Sequence, residues 1–129
     1  MLELLLWNER VATPLVPIVG LVDSGAEETL LPLEVASRLR LDDLLHDDPH
    51  GAEGVGASFA TWRTHVGLRG RLVRQRIRDR DVPWGPELRL RPVFARIPIA
   101  LFGRSDFFPH FRITFESDAV GPIFHLDAA

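Results

Sequence analysis

Proline and glycine interrupt the apolar stretches of this chain too often for long helices. Ten prolines and ten glycines are spread over 129 residues, and they separate short apolar runs such as residues 2–7 and 123–126. Short apolar runs bounded by these residues are typical of β-strands joined by turns. We therefore predict a mostly β fold with one or two short helices.

One domain, residues 1–129, is the organisation expected for this length. The chain is 46% hydrophobic and 26% charged, which provides enough apolar material for a packed core. The absence of cysteine excludes disulfides, thiolate catalysis and zinc–thiolate sites. No apolar run is long enough for a membrane helix, and the first residues lack a secretion-signal pattern. We predict a cytoplasmic protein without a membrane partner.

An acidic residue directly follows the apolar, β-branched run at residues 11–22, because Asp23 begins the sequence Asp23-Ser24-Gly25. A carboxylate at the end of a buried strand needs a partner, since burying an unpaired charge is costly. The same three residues are a common turn at a strand end. These residues alone leave an ordinary turn and a functional carboxylate both open.

A later segment completes a family pattern. Residues 99–104 (IALFGR) are followed by residues 107–115 (FFPHFRITF). With residues 23–26 (DSGA), and residues 30–32 (LLP) leading into a helix, this pattern resembles the retropepsin-like aspartic proteases, a single-domain family that includes retroviral proteases and bacterial relatives. The resemblance covers residues 14–116. It implies a closed, retropepsin-like β-barrel that is active as a two-fold dimer.

The resemblance implies that Asp23 is catalytic. In this family two carboxylates share one proton around a water, so that one removes a proton while the other polarises the peptide carbonyl. The chain contains one such motif, so the second carboxylate must be Asp23 of another copy, related by a two-fold axis. The implied activity is that of an aspartic endopeptidase, a homodimer that cleaves a polypeptide substrate without metal or other cofactor.

The resemblance also implies supporting residues. Ser24 would hydrogen-bond across the dimer, and the Gly25 backbone would lie close to the substrate. Glu27 stands where the family usually has aspartate, and Arg104 would pair with it to hold the active-site loop. The sequence departs from the family in the longer Glu27 side chain and in Ser105, which follows Arg104 where relatives often have Asp or Asn.

Gly54, Val55 and Gly56 are the candidate substrate-binding flap, which in this family is a hairpin that closes over the substrate. Glycine permits the backbone freedom that such a lid requires. The alternative is an ordinary loop, since residues 42–56 as a whole have a loop-like composition.

Two charged segments favour solvated surfaces over binding sites. The acidic residues and histidines of 42–50 have no compact metal-ligand spacing, so we predict no metal site. Six arginines lie between residues 69 and 80, but the formal net charge is −3 and no stacking aromatics are interleaved. We therefore predict no nucleic-acid partner.

Further elements follow from the same patterns. Pro32 suits the start of a helix over residues 33–41, whose buried face would include Val35 and Leu39. The Pro and Gly residues at 83–86 predict a turn. The terminal strands of retropepsin dimers interleave, and residues 2–7 and 123–126 are the candidates for this role.

Two alternatives to the enzyme stay open. A catalytically silent retropepsin-fold module could serve in dimerisation or peptide binding, and a β-rich binding domain could carry the motifs by coincidence. Hydrolysis of a mixed peptide library separates enzyme from silent module. The size of the protein in solution bears on the third interpretation, because a monomer could not be the enzyme.

Overall fold

The computed structural model describes residues 1–10, 14–41, 45–47, 52–54, 57–77, 80–117 and 122–128. In these residues the protein is mostly β, which confirms the predicted class. The strands are β1 (Leu2–Asn8), β2 (Val16–Val22), β3 (Leu30–Pro32), β4 (Leu45–Asp47), β5 (Ala52–Gly54), β6 (Ala57–Phe59), β7 (Thr61–Thr64), β8 (Leu68–Ile77), β9 (Arg80–Leu90), β10 (Val93–Ala95), β11 (Ala100–Phe102), β12 (Phe111–Ser117) and β13 (Pro122–Ala128). Helix α1 is Leu33–Arg38, and a 3-10 turn covers Phe108–His110.

Nine strands form one strongly curled sheet, a half-barrel, in the order β4-β7-β10-β3-β11-β2-β1-β8-β9. The pairs β12–β13 and β5–β6 form separate hairpins. Strand β11 lies between β2 and β3, parallel to the former and antiparallel to the latter. The chain must therefore cross the end of β11 when it passes from β2 to β3.

The concave side of the sheet holds the hydrophobic core. Along β2, Val16 and Ile18 are buried whereas Pro17 and Val19 are exposed, as the two-residue period of a strand requires. Buried aromatic and aliphatic side chains from the other strands, α1 and the 3-10 region fill this core, among them Leu4, Leu31, Leu39, Phe94, Phe102 and Phe107. The core therefore supports the strand ends that surround the loop after β2.

The helix begins where predicted but is shorter. Pro32 stands immediately before its first turn, and Val35 and Leu39 are buried as expected. The helix ends at Arg38 because the chain turns sharply at Arg40, whose φ of 57° is incompatible with a right-handed helix.

The predicted turn at residues 83–86 is wrong. Strand β9 continues through both prolines because it is the outer strand of the sheet. Proline is tolerated in outer strands, where it can be placed without loss of a hydrogen bond to a neighbouring strand. Register shifts interrupt its pairing with β8, and Gly85 adopts a positive φ of 78°. Glycine, which lacks a Cβ atom, accommodates this conformation without strain.

Two further predictions need correction. The segment 42–56 is not all loop, since it contains β4 and β5. Strand β1 is also unavailable for interleaving with a partner, because it is paired with β2 on one side and β8 on the other. Among the described residues, no helix is long and apolar enough to span a membrane.

Gly20 marks the tightest contact between β2 and β11, and it provides a test of this packing. A Cβ atom at position 20 would lie 2.7 Å from the Ala100 carbonyl oxygen and 2.7 Å from the Phe102 ring. We expect Gly20→Ala to lower the free energy of unfolding by about 1–3 kcal/mol, because overpacking forces the strands apart. Gly67→Ala is the matched control, since its added methyl meets only the movable end of the Glu9 side chain. Urea unfolding with equal losses in the two variants would contradict this account.

Candidate active site

The loop from Asp23 to Thr29 leaves β2, crosses the end of β11 and enters β3. The Asp23 N–H donates to the Phe102 carbonyl oxygen at 3.0 Å, which extends the β2–β11 pairing by one bond. The Ala26 N–H donates to the Asp23 carbonyl oxygen at 3.2 Å and closes a tight turn. Asp23 is therefore fixed at its backbone by strand and turn together.

The Asp23 carboxylate is half-buried, and its Oδ1 accepts a hydrogen bond from the Gly25 N–H at 2.8 Å. This is the contact of an Asx turn, so the local geometry agrees with the turn interpretation as well as with a functional role. Among the described residues no cationic side chain pairs with Asp23. Ser24 and Gly25 beside it are exposed, so this edge is open to a substrate or a second chain.

Backbone hydrogen bonds join the Asp23 loop to the turn that follows β11. The Arg104 N–H donates to the Ala26 carbonyl oxygen at 3.0 Å, and the Ser105 N–H donates to the Glu27 carbonyl oxygen at 2.8 Å. These bonds depend on main-chain atoms, so Ser105 does not disrupt the junction between the two segments. The two separated sequence motifs thus meet in one structure.

A buried carboxylate that sequence reasoning did not select holds this junction. Asp106 Oδ1 accepts from the Thr29 hydroxyl at 2.7 Å, from the Thr29 N–H at 3.1 Å and from the Phe107 N–H at 2.9 Å. Its Oδ2 accepts from the Arg91 N–H at 3.1 Å. Four donors match the acceptor capacity of a carboxylate, so the charge is buried with its hydrogen bonds satisfied.

Gly103 explains why the two segments approach so closely. Its N–H donates to the Thr29 hydroxyl oxygen at 3.1 Å, so this hydroxyl both accepts and donates within the buried network. A Cβ atom at position 103 would lie 2.6 Å from the Glu28 carbonyl oxygen and 2.8 Å from the Thr29 nitrogen. Only glycine fits this contact without moving backbone.

The pair of Arg104 and Glu27 is formed, with Arg104 Nη2 donating to Glu27 Oε2 at 2.6 Å. The pair is solvated, because the side chains of Arg104 and Glu27 are 54% and 72% exposed in the single chain. Exposed ion pairs contribute little to stability since water screens both charges. The buried Asp106 network, and not this pair, is the main side-chain support of the loop; the functional role of the pair stays a prediction.

Glu28 connects the loop to the strand that follows the candidate flap. Arg63 on β7 donates through Nη1 and Nη2 to the two Glu28 carboxylate oxygens, at 2.9 and 2.6 Å. Both side chains are about one-third exposed. A two-bond arginine–carboxylate contact fixes orientation as well as distance, so the loop and β7 are held in register.

The candidate flap falls only in part within the described residues. Gly54 ends β5 and pairs with Ala57 of β6, whereas Val55 and Gly56 lie outside the description. The antiparallel pairing of β5 with β6 has the strand arrangement of a hairpin, whereas the composition of residues 42–56 had predicted a loop. Its role as a lid stays a prediction.

Three apolar side chains beside Asp23 are candidate functional residues that sequence reasoning missed. Leu21, Leu101 and Leu30 are register partners across β2, β11 and β3. Leu21 is 43% exposed and the other two are partly exposed. Leu21 stands two residues before Asp23 and so shares its face of the extended chain. The row, which we call the leucine row, forms an apolar surface adjacent to the carboxylate.

Comparison with known proteins does not identify a family. No protein-family model matches the chain, and no curated protein matches its sequence. Among the described residues, no group of three or more histidine or acidic side chains could hold a metal ion.

We expect Asp106 and Arg104 to differ in how much each contributes to the free energy of unfolding. We expect Asp106→Ala to lower the free energy of unfolding by on the order of 3 kcal/mol, because it leaves buried Thr29 and backbone donors without an acceptor. Arg104→Ala should cost less than about 1 kcal/mol, because the pair it breaks is solvated. Urea unfolding of both variants measures the difference. A larger loss in Arg104→Ala would show that the exposed pair, and not the buried network, holds the loop.

Proposed function

We propose that the protein is an aspartic endopeptidase of the retropepsin type that acts as a homodimer, in which one Asp23 from each chain activates a shared water. The observation that carries this proposal is the placement of Asp23. Its carboxylate lies at an open edge without a cationic partner among the described residues, on a loop that a buried network holds. A reactive group on a rigid support is the arrangement that catalysis requires.

The proposed chemistry needs one proton on the carboxylate pair. The ionised Asp23 takes a proton from the water while the water oxygen attacks the peptide carbonyl carbon. The protonated Asp23 of the partner subunit donates to the carbonyl oxygen, which gives a neutral tetrahedral diol. The first Asp23 then gives its proton to the peptide nitrogen while the ionised Asp23 of the partner subunit takes a proton from a diol hydroxyl. The C–N bond breaks, an amine and a carboxylic acid are released, and the carboxylate pair again holds one proton.

The surroundings of Asp23 favour a peptide with apolar side chains near the cleaved bond. The leucine row presents apolar surface next to the carboxylate, and burial of such surface provides binding free energy. The β5–β6 hairpin is the candidate cover for the bound peptide. The Glu28–Arg63 contact ties the loop to β7, the strand that follows this hairpin.

The second subunit is part of the proposal because each chain supplies one carboxylate. Strand β1 is paired on both sides, so the dimer contact must use another edge. In the described residues β13 pairs with β12 alone, which leaves its other edge for strand pairing. Two β13 edges meeting about a two-fold axis would join the β12–β13 hairpins of the two chains, and a closed retropepsin-like barrel in each chain is part of the same proposal.

Asp23→Asn tests the proposed catalyst. The amide keeps the shape of the side chain but cannot act as the base, so we expect cleavage of a mixed peptide library to fall by at least about 10²-fold. Parent activity should be bell-shaped in pH, because the pair must hold one proton. The dimer should be no weaker at neutral pH, because the substitution removes like charges from the axis.

Glu34→Gln is the matched control for this change, since Glu34 is an exposed carboxylate on α1. It should cleave at the parental rate. Unchanged cleavage by Asp23→Asn would rule out the aspartic mechanism. A parent protein that dimerises but cleaves no peptide in the library would favour the silent module.

Removal of residues 122–129 tests the proposed dimer contact. We expect a monomer by analytical ultracentrifugation and no peptide cleavage, because the chain loses β13 and its free edge. Leu126 also packs against the core, so the far-UV circular dichroism spectrum must show that the remaining strands still fold. A folded, truncated protein that remains dimeric would overturn the assignment of β13 as the contact.

A further inference from the structure

A surface cavity of about 720 Å³ lies between α1 and the strands β4 and β7. Its size is in the range of small-molecule sites. It is separated from the candidate active site along β3, because the Asp23 loop enters this strand at Leu30 whereas α1 begins after Pro32. No residue of the Asp23 loop is among the described lining residues of this cavity.

One wall of the cavity carries an arginine, Arg96. The Arg96 guanidinium lies over the Trp62 ring, with its central carbon 5.3 Å from the ring centroid. A guanidinium over an aromatic ring makes a cation–π contact, which does not use up its N–H donors. Among the described residues, no carboxylate pairs with Arg96 and none lines the cavity. Within the described side chains, the site thus presents a positive charge that lacks an acidic partner.

His46 provides a second donor in the same lining. Its ring stacks on His65, with centroids 4.6 Å apart and planes 18° from parallel. Because stacking uses the ring face, the ring nitrogens stay available at the edge for hydrogen bonds. The remaining lining consists of the apolar residues Leu33, Ala36 and Leu45 together with Ser37.

We propose that this cavity binds a small organic carboxylate with an apolar tail. The Arg96 fork matches the two oxygens of a carboxylate, and one guanidinium balances one negative charge. His46 adds a hydrogen bond to the same group, while the tail covers the apolar lining. A phosphate fits less well, because it carries more than one negative charge and a single guanidinium balances only one.

Hexanoate and hexanamide are the probes, because they share a tail and differ in charge. In an NMR titration of the full chain, we expect hexanoate to shift the Trp62 indole N–H signal saturably. Hexanamide should bind at least tenfold more weakly. The spectrum of Trp62→Phe assigns the signal, since Trp7 and Trp84 also contribute indole resonances. Equal affinities for the two probes, or no saturable shift with hexanoate, would overturn the proposal.

Four substitutions locate the binding. Arg96→Gln should weaken hexanoate binding at least tenfold, whereas Arg91→Gln, which changes an exposed arginine before the other end of β10, should leave it unchanged. His46→Phe keeps a ring for stacking but removes the donors, so a several-fold loss is expected. Asp23→Asn should bind hexanoate as the parent does. Parental binding in both Arg96→Gln and His46→Phe would place the probe elsewhere and refute the assignment.

Discussion

The Asp106 carboxylate is the contact on which the candidate site depends. It lies buried after β11 and accepts hydrogen bonds from Thr29, Phe107 and the backbone of Arg91. Three chain segments that are far apart in sequence are thereby held at one point. Because a buried carboxylate without donors would be strongly unfavourable, the segments separate only at a high free-energy cost. The network holds the far end of the Asp23 loop at Thr29, whereas Asp23 itself is fixed by its backbone bonds to Phe102 and Ala26.

The structure separates the groups that stabilise the loop from those proposed to react. Asp106 is buried and fully hydrogen-bonded, whereas Asp23 is half-buried with a single backbone donor. A group whose hydrogen bonds are all used by the fold has little capacity left for a substrate. Because Asp106 stabilises the loop, the Asp23 carboxylate remains available for the proposed chemistry. The exposed Arg104–Glu27 pair contributes little to stability, because water screens both charges.

Local patterns failed where the sheet environment decided the outcome. The prolines at 83 and 86 are turn signals in isolation, but β9 is an outer strand and tolerates them. Thr29 and Asp106 carried no local signal, because their contact joins residues 77 positions apart. The leucine row was invisible for the same reason: its members come from three strands whose register is set by tertiary pairing.

The sequence by itself determined the mostly β class, the positions of β1 and β13, the buried face of α1 and the pairing of two separated motifs. These features depend on residue periodicity, on glycine and proline, and on motif residues that are contiguous in the chain. Only the tertiary structure decided that Asp106 supports the loop, that β1 is enclosed between two strands and that Arg96 lines a cavity. Burial and long-range hydrogen bonding exist only once the strands are ordered, because both depend on neighbours that the linear sequence keeps apart.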